Sequence, residues 1–331
     1  MLVGCGGSAN NTTQTSRAAV SGTGPGSTPP PVTTASAPAV DDLSGAEHPS
    51  ASEFPPAAGR SLEELAKLIR STAQLGAATG TNAPGTNRFA FALTDAQERF
   101  VYAPTAVYVA SSLRSAATGP HLAAADPMGV APRYRSAQNA APGELKAIYG
   151  TELRFRGPGL YYVLAVTRVG SRLIGSTGAI AVAAHTPIPA VGQRPPAIST
   201  ETLASVHGDV ALLTTRTPPE NMHSVSFAQV LGRRPIALLV STPELCTSRV
   251  CGPVTDILVS LQHQFPAITF IHQEVYVDNQ PTKGLRPQLK AFHLETEPWL
   301  FTINRQGRIV ARVEGAFGVN TARRALEAAL S

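Results

Sequence analysis

The sequence predicts an all-β sandwich followed by an α/β module. Three observations carry this expectation. Between Arg88 and Pro187, apolar residues alternate with period two in several short stretches, the pattern of half-buried strands. After a Pro-rich stretch at 188–204, short apolar runs alternate with helical stripes instead. The most apolar of those runs, PIALLVST, ends in a loop carrying Cys246 and Cys251, and a helical pattern begins beside Cys251.

A chain of 331 residues has room for two domains. It is 43% hydrophobic and 15% charged, with 28 Gly and 28 Pro, which suffices for real cores plus a stretch that buries nothing. The formal charge is +5, but Lys and Arg are scattered. A nucleic-acid footprint clusters its basic residues, so nucleic-acid binding is not expected. No motif calls for a cofactor.

The first 58 residues read as an anchor and a tether. Leu2-Val3-Gly4-Cys5 resembles a bacterial lipobox, which implies lipidation of Cys5 and an extracytoplasmic, membrane-anchored protein. The charged and apolar regions of a signal peptide do not follow Met1, so the signal is expected to start upstream. Residues 6–58 are mostly small or polar and are expected to stay disordered. No stretch reaches the ~18 apolar residues of a spanning helix, leaving Cys5 as the membrane attachment.

Residues 60–187 form the predicted sandwich. Ser61 and Glu64 make a capping box for a helix bearing Leu62, Leu65 and Ile69, expected to end near Gly76. Strands follow in NRFAFALTD, TAVYVASSL, GTELRFRG, GLYYVLAVTRV and AIAVAAHTP, separated by turn residues. Pro158-Gly159-Leu160-Tyr161 resembles an immunoglobulin-like strand entry, without a Cys-Trp-Cys framework. Asp95, His121 and Asp126 fall in polar stretches and are expected to be solvated. Tyr102, Tyr108, Tyr161 and Tyr162 are expected to be half-buried strand residues. The connector at 188–204 should be extended and stiff.

Residues 205–331 form the α/β module. A strand and turn are expected in DVALLTTRTPPENM, then a short helix at Phe227–Leu231 and the buried strand PIALLVST. Val254, Ile257, Leu258 and Leu261 mark a helical face. AITFIHQEVYVD is a strand, LRPQLKAFHL a helix, and TEPWLFTIN with RIVARVEGA a hairpin. NTARRALEAAL closes as a helix with Asn320 or Thr321 as N-cap.

This order resembles the thioredoxin fold, and two local patterns add to the likeness. Cys251-Gly252-Pro253-Val254 is similar to the thioredoxin Cys-Gly-Pro-Cys motif with Val in place of the second Cys. Glu297-Pro298, before WLFTI, sits where that family carries a cis-proline. The resemblance implies a thiol–disulfide oxidoreductase acting on protein thiols and disulfides. Cys251 would attack, activated at a helix start, and Cys246 would resolve through a Cys246–Cys251 disulfide. Pro298 would lie against the sulfurs and expose the backbone before it to substrate. Arg249 would favour the thiolate and Glu297 oppose it.

Other readings stay open. The pair could be a structural disulfide in a non-catalytic scaffold, with Trp299 lining a binding groove. Some peroxiredoxins also use Cys-x4-Cys, but their Thr and Pro positions are occupied here by Pro243 and Leu239. A copper-delivery site would need the cysteines with His272 or His293.

Overall fold

The computed structural model describes residues 40–139 and 145–331. Cys5, the lipobox-like sequence around it and the tether up to residue 39 lie outside the described residues.

The first part of the described chain is rich in strands: β1 (Ser71–Thr72), β2 (Gln74–Ala77), β3 (Gly85–Thr94), β4 (Thr105–Ala110), β5 (Thr118–Leu122), β6 (Ala124–Pro127), β7 (Ala147–Phe155), β8 (Gly159–Val169) and β9 (Arg172–Val182). They form two sheets, β1-β9-β8-β4-β5 and β2-β3-β7-β6. The period-two pattern explains the packing. Phe89, Phe91 and Leu93 of β3 share a core with Val107, Val163 and Ile180 of the other sheet. The alternate residues Ala90 and Ile148 join a second core with the C-terminal part. The four-stranded sheet is thus covered on both faces.

Several expectations are corrected here. Residues 40–58 are not a tether. They form α1 (Leu43–Glu47) and a short 3-10 turn, and Phe54 and Ala57 are buried beside Tyr108 and Leu164. Two apolar side chains with a sheet to cover suffice to order a segment of low hydrophobicity. The capped helix α2 (Leu62–Ala66) stops well before Gly76, because Ser71–Thr72 pairs in parallel with β9 and Gln74–Ala77 pairs with β3. The strand expected after Asp209 is a 3-10 turn, Val210–Leu212, whose Leu212 carbonyl accepts from Arg286 at 2.7 Å. Side chains, not a neighbouring strand, satisfy that backbone. Tyr102 and Tyr108 are fully rather than half buried, whereas Tyr161 and Tyr162 are half-buried.

The remaining elements are α3 (Phe227–Val230), β10 (Ile236–Val240), α4 (Cys251–Leu261), β11 (Thr269–Gln273), α5 (Pro287–Phe292), β12 (Trp299–Ile303), β13 (Ile309–Glu314) and α6 (Val319–Leu330). They build a mixed sheet in the order β11-β10-β12-β13, with β11 parallel to β10 and the others antiparallel. Ala237 and Leu239 of β10 pack with α4 and α6; Ile236, Leu238 and Val240 pack with α3 and α5. Covered on both faces, β10 has no position for a polar side chain. The connector lies along this sheet: Gly192 N–H donates to Ile309 O at 2.8 Å and Ile309 N–H to Gln193 O at 2.9 Å.

The described residues pack as one unit, and carboxylates make the joins. Asp126 is not solvated: it is 7% exposed and accepts from the N–H groups of Gly318, Asn320 and Thr321 at 2.9–3.1 Å. The N-cap position of α6 is Gly318, and its capping carboxylate comes from β6. Asp95 is also buried, holding the backbone of its own turn at Gln97 and Arg99. His121 lies on β5, bonded to Thr118. Glu314 accepts from the N–H groups of Gly80 and Thr81 and from the Thr296 hydroxyl. Beside it, a Cβ on Gly315 would stand 1.6 Å from Ala78 O, so only glycine fits.

The deepest join is an ion pair. Arg216 Nε and Asp256 Oδ1 are 2.8 Å apart, with side chains 4% and 0% exposed. The other Asp256 oxygen accepts from Ser136 N–H and Oγ and from Asn139 Nδ2. Replacing Asp256 by Ala leaves Arg216 buried without its counter-charge. The expected loss is about 3–5 kcal/mol of unfolding free energy, read from urea denaturation.

Candidate functional site

The site sits where β10 ends and α4 begins. After Val240 the chain leaves the sheet through Ser241-Thr242-Pro243 into the cysteine loop. A turn closes the loop: Arg249 N–H donates to Cys246 O at 3.2 Å, and Arg249 adopts a left-handed conformation with φ 58°. The turn folds Cys246 back over the first residues of α4. A Cys-x4-Cys pair meets here because the intervening chain is a turn and not helix.

The sulfurs of Cys246 and Cys251 and a carboxyl oxygen of Glu297 all lie within 4.8 Å of one another. The two cysteines are not bonded to each other in this structure. Glu297 belongs to this group because the Glu297–Pro298 bond, which is cis, leads straight into β12.

The two sulfurs are pushed in opposite directions, Cys246 down and Cys251 up. Cys246 is pulled down to about 6 from an ordinary 9.0, chiefly by the hydrogen bond from the Cys251 thiol. Burial opposes this, while the Ser248 hydroxyl, 3.2 Å away, and the N–H groups of Cys251 and Val250 assist. Cys251 is 0% exposed, and burial followed by the Cys246 thiolate pushes it well above the usual thiol range. The sequence places Cys251 at a helix start, which is correct. Its own sulfur does not receive the unpaired N–H groups there; the folded-back Cys246 does.

Glu297 is pushed up to about 8, first by burial, then by the charges of Cys246 and Glu274. Its Oε2 is buried and has no hydrogen-bond partner. A cavity of about 440 Å³ reaches this carboxyl and is also lined by Ser248, Val250, Thr296, Glu314 and residues 76–80. A larger groove of about 1150 Å³, lined by Arg133, Arg233 and His263 among others, contains neither cysteine.

The other site residues are placed differently from expectation. Arg249 shapes the turn and is exposed; the thiolate is held by neutral donors. Trp299 lines no groove. It is 1% exposed, stacked on Phe301 at 5.6 Å, with its Nε1–H bonded to Thr296. His293 is exposed at the end of α5, and His272 is occupied elsewhere, so neither joins the cysteines as a copper ligand. The three groups at the cysteines could chelate a soft cation, but the Cys246 sulfur is already surrounded by hydrogen-bond donors.

Sequence reasoning misses the surroundings of the site. A Cβ on Gly252 would lie 3.0 Å from Gln138 Cβ, so a loop of the sandwich closes over the start of α4. Asp256 anchors that loop, and a lone acid inside the apolar run VTDILV is the signal that could have revealed it.

Behind the site, a second cluster joins Glu220, His223 and His272. His272 Nδ1 is 2.7 Å from Glu220 Oε1, and its Nε2 is 3.1 Å from Ser241 O. Nε2 also lies 2.9 Å from Ser241 Oγ, a hydroxyl that can donate or accept. His223 Nε2 bonds the same Glu220 oxygen at 2.6 Å and Thr214 Oγ1 the other at 2.8 Å. This is a satisfied ion pair, not an open metal centre.

No family model and no curated protein matches the chain. A solved structure, the PKD domain of an M14-like peptidase from a Thermoplasmatales archaeon, is similar at 13% identity over 34% of this chain and 92% of that one. Its TM-score is 0.17.

Two outcomes follow from these ionisations. The rate of Cys246 alkylation should rise with a midpoint near pH 6. In Cys251→Ala, which lacks the thiol donor, the midpoint should move up by about one to two units. The His272 ring tends to lose its proton through burial, but the Glu220 charge and hydrogen bond outweigh this and raise its pKa. Burial would raise Glu220, yet the two histidines hold it well below its usual range. The pair's stabilisation is therefore lost on the acid side below the ordinary carboxylate range. On the other side it is lost as pH rises through the raised His272 pKa. The stability difference between wild type and His272→Gln should peak between about pH 5 and 6.5 and shrink at alkaline pH, as measured by denaturation at each pH.

Proposed function

We propose that the α/β part of the chain is a thioredoxin-like module and that the protein is a thiol–disulfide oxidoreductase. The mixed sheet, with α4 following its central strand and cis Pro298 leading into the next, supports the fold reading. The observation that carries the function is the thiol pair itself. Two free sulfurs sit side by side, one poised as a thiolate near neutral pH and the other held protonated. A structural staple needs no such division.

In this reading Cys246 attacks a partner disulfide, because its pKa is pulled down and it is 7% exposed where Cys251 is sealed at 0%. Cys251, sealed behind it, then attacks the Cys246 sulfur and completes an intramolecular disulfide. The partners are protein thiols and disulfides. The sandwich contributes Gln138, which closes over Gly252, and Thr79 and Gly80, which border the cavity.

The proposed location is extracytoplasmic, on a membrane, through lipidation of Cys5. No described helix is long and apolar enough to cross a membrane. Acylation is read from the mass of the N-terminal peptide of membrane-purified protein.

The pair should cycle. Alkylation after dithiothreitol should add mass at both Cys246 and Cys251, and alkylation after a mild oxidant at neither. Cys251→Ser should accumulate mixed disulfides with partner proteins through Cys246, whereas Cys246→Ser should trap none. A pair that does not oxidise in the folded protein would refute the proposal.

A further inference from the structure

Three features leave Cys251 with a proton to lose and one place to put it. Its thiol is 0% exposed and does not line the cavity. Its nearest titratable neighbours are Cys246, the sulfur it must attack, and Glu297. Glu297 faces the sulfurs from one side and the cavity from the other, with Oε2 buried and unpartnered. Asp126 accepts from three N–H groups and Asp256 from four donors, and Glu274, whose Oε2 is also unpartnered, is held through Oε1 by Thr215 N–H and Oγ1. A buried oxygen with no partner, beside two reacting atoms, has the placement of a proton carrier.

We infer that Glu297 is a catalytic acid–base residue that gives a proton to the first leaving thiolate and then takes the proton of Cys251. The inference rests on the oxidoreductase reading. In the first step the Cys246 thiolate attacks a partner disulfide R–S–S–R′. An S–S bond forms between Cys246 and the R′ sulfur, and the S–S bond of R–S–S–R′ breaks, releasing RS⁻. Glu297 passes its proton to RS⁻ and becomes a carboxylate. In the second step Cys251 attacks the Cys246 sulfur, its proton passes to Glu297, and R′S⁻ leaves. Two electrons move from the cysteine pair to the partner disulfide, and Glu297 ends protonated as it began.

The geometry times the change of role. Charged or titratable groups face Glu297 from several elements: Cys246 in the loop, Cys251 on α4, Glu274 and Tyr276 after β11, and Glu314 on β13. Of these, Cys246 is the one whose charge disappears when the mixed disulfide forms. The repulsion that keeps Glu297 protonated therefore falls at the moment Cys251 needs a base.

The test uses the full chain, reduced, and an aromatic disulfide that releases a coloured thiolate. That thiolate is a good leaving group, so the first step needs no acid. Wild type should release one equivalent rapidly and a second as Cys251 resolves. In Glu297→Gln the first phase should be unchanged, and the second about a hundredfold slower and no longer dependent on a carboxyl titration. Glu297→Asp should recover part of the second phase. An unchanged second phase in Glu297→Gln, or equal slowing of both phases, would overturn the assignment. Absence of any first phase in wild type would instead sink the oxidoreductase reading, and this assignment with it.

Discussion

The start of α4 is buried, and its unpaired backbone donors must be satisfied without water. Cys251, Gly252 and Pro253 are all buried, and the sandwich loop at Gln138 seals the approach. Pro253 brings no N–H of its own, and the Val254 N–H already bonds Val250 O at 3.0 Å. The N–H groups of Val250 and Cys251 find the Cys246 sulfur. The same arrangement that completes the helix therefore makes a thiolate. Removing the turn at Arg249 would leave the helix start and the sulfur each without a partner.

Around this point the two parts of the chain are tied by polar contacts as well as by a shared apolar core. Asp256 binds the loop at Ser136 and Asn139, and Glu314 binds Gly80 and Thr81. Both contacts flank the thiol pair, one on α4 and one beside the cavity. The β module therefore encloses the site as well as preceding it in sequence. Each join buries a charge together with its donors, which makes the relative placement of loop and helix specific.

Legibility in the sequence follows locality. Period-two alternation at Phe89, Phe91 and Leu93 identified a sandwich face, and the uninterrupted run Ile236–Val240 identified a doubly covered strand. The capping box at Ser61 and the hairpin around Gly307 were equally local. Asp126, Asp256 and Glu314 were not legible, because each takes donors from chain more than a hundred residues away. At the site, the cysteines and Glu297-Pro298 stood out. Their mutual placement did not: it depends on the left-handed Arg249 in the four-residue turn Cys246–Arg249, which brings the Cys246 sulfur to the helix start.

The carboxylate that starts α6 belongs to β6, 192 residues before Gly318. Synthesis runs in one direction, so the sandwich leaves the ribosome complete while the last helix is still unmade. When α6 emerges, its cap is already in place on a folded surface, and the helix closes against a template instead of nucleating alone. Because α6 covers the same sheet face as α4, the core beneath α4 closes only when the last turn of the chain has been added. A nascent chain thus carries the helix that begins at Cys251 on an unfinished core, which ties the completion of that helix's packing to the end of synthesis.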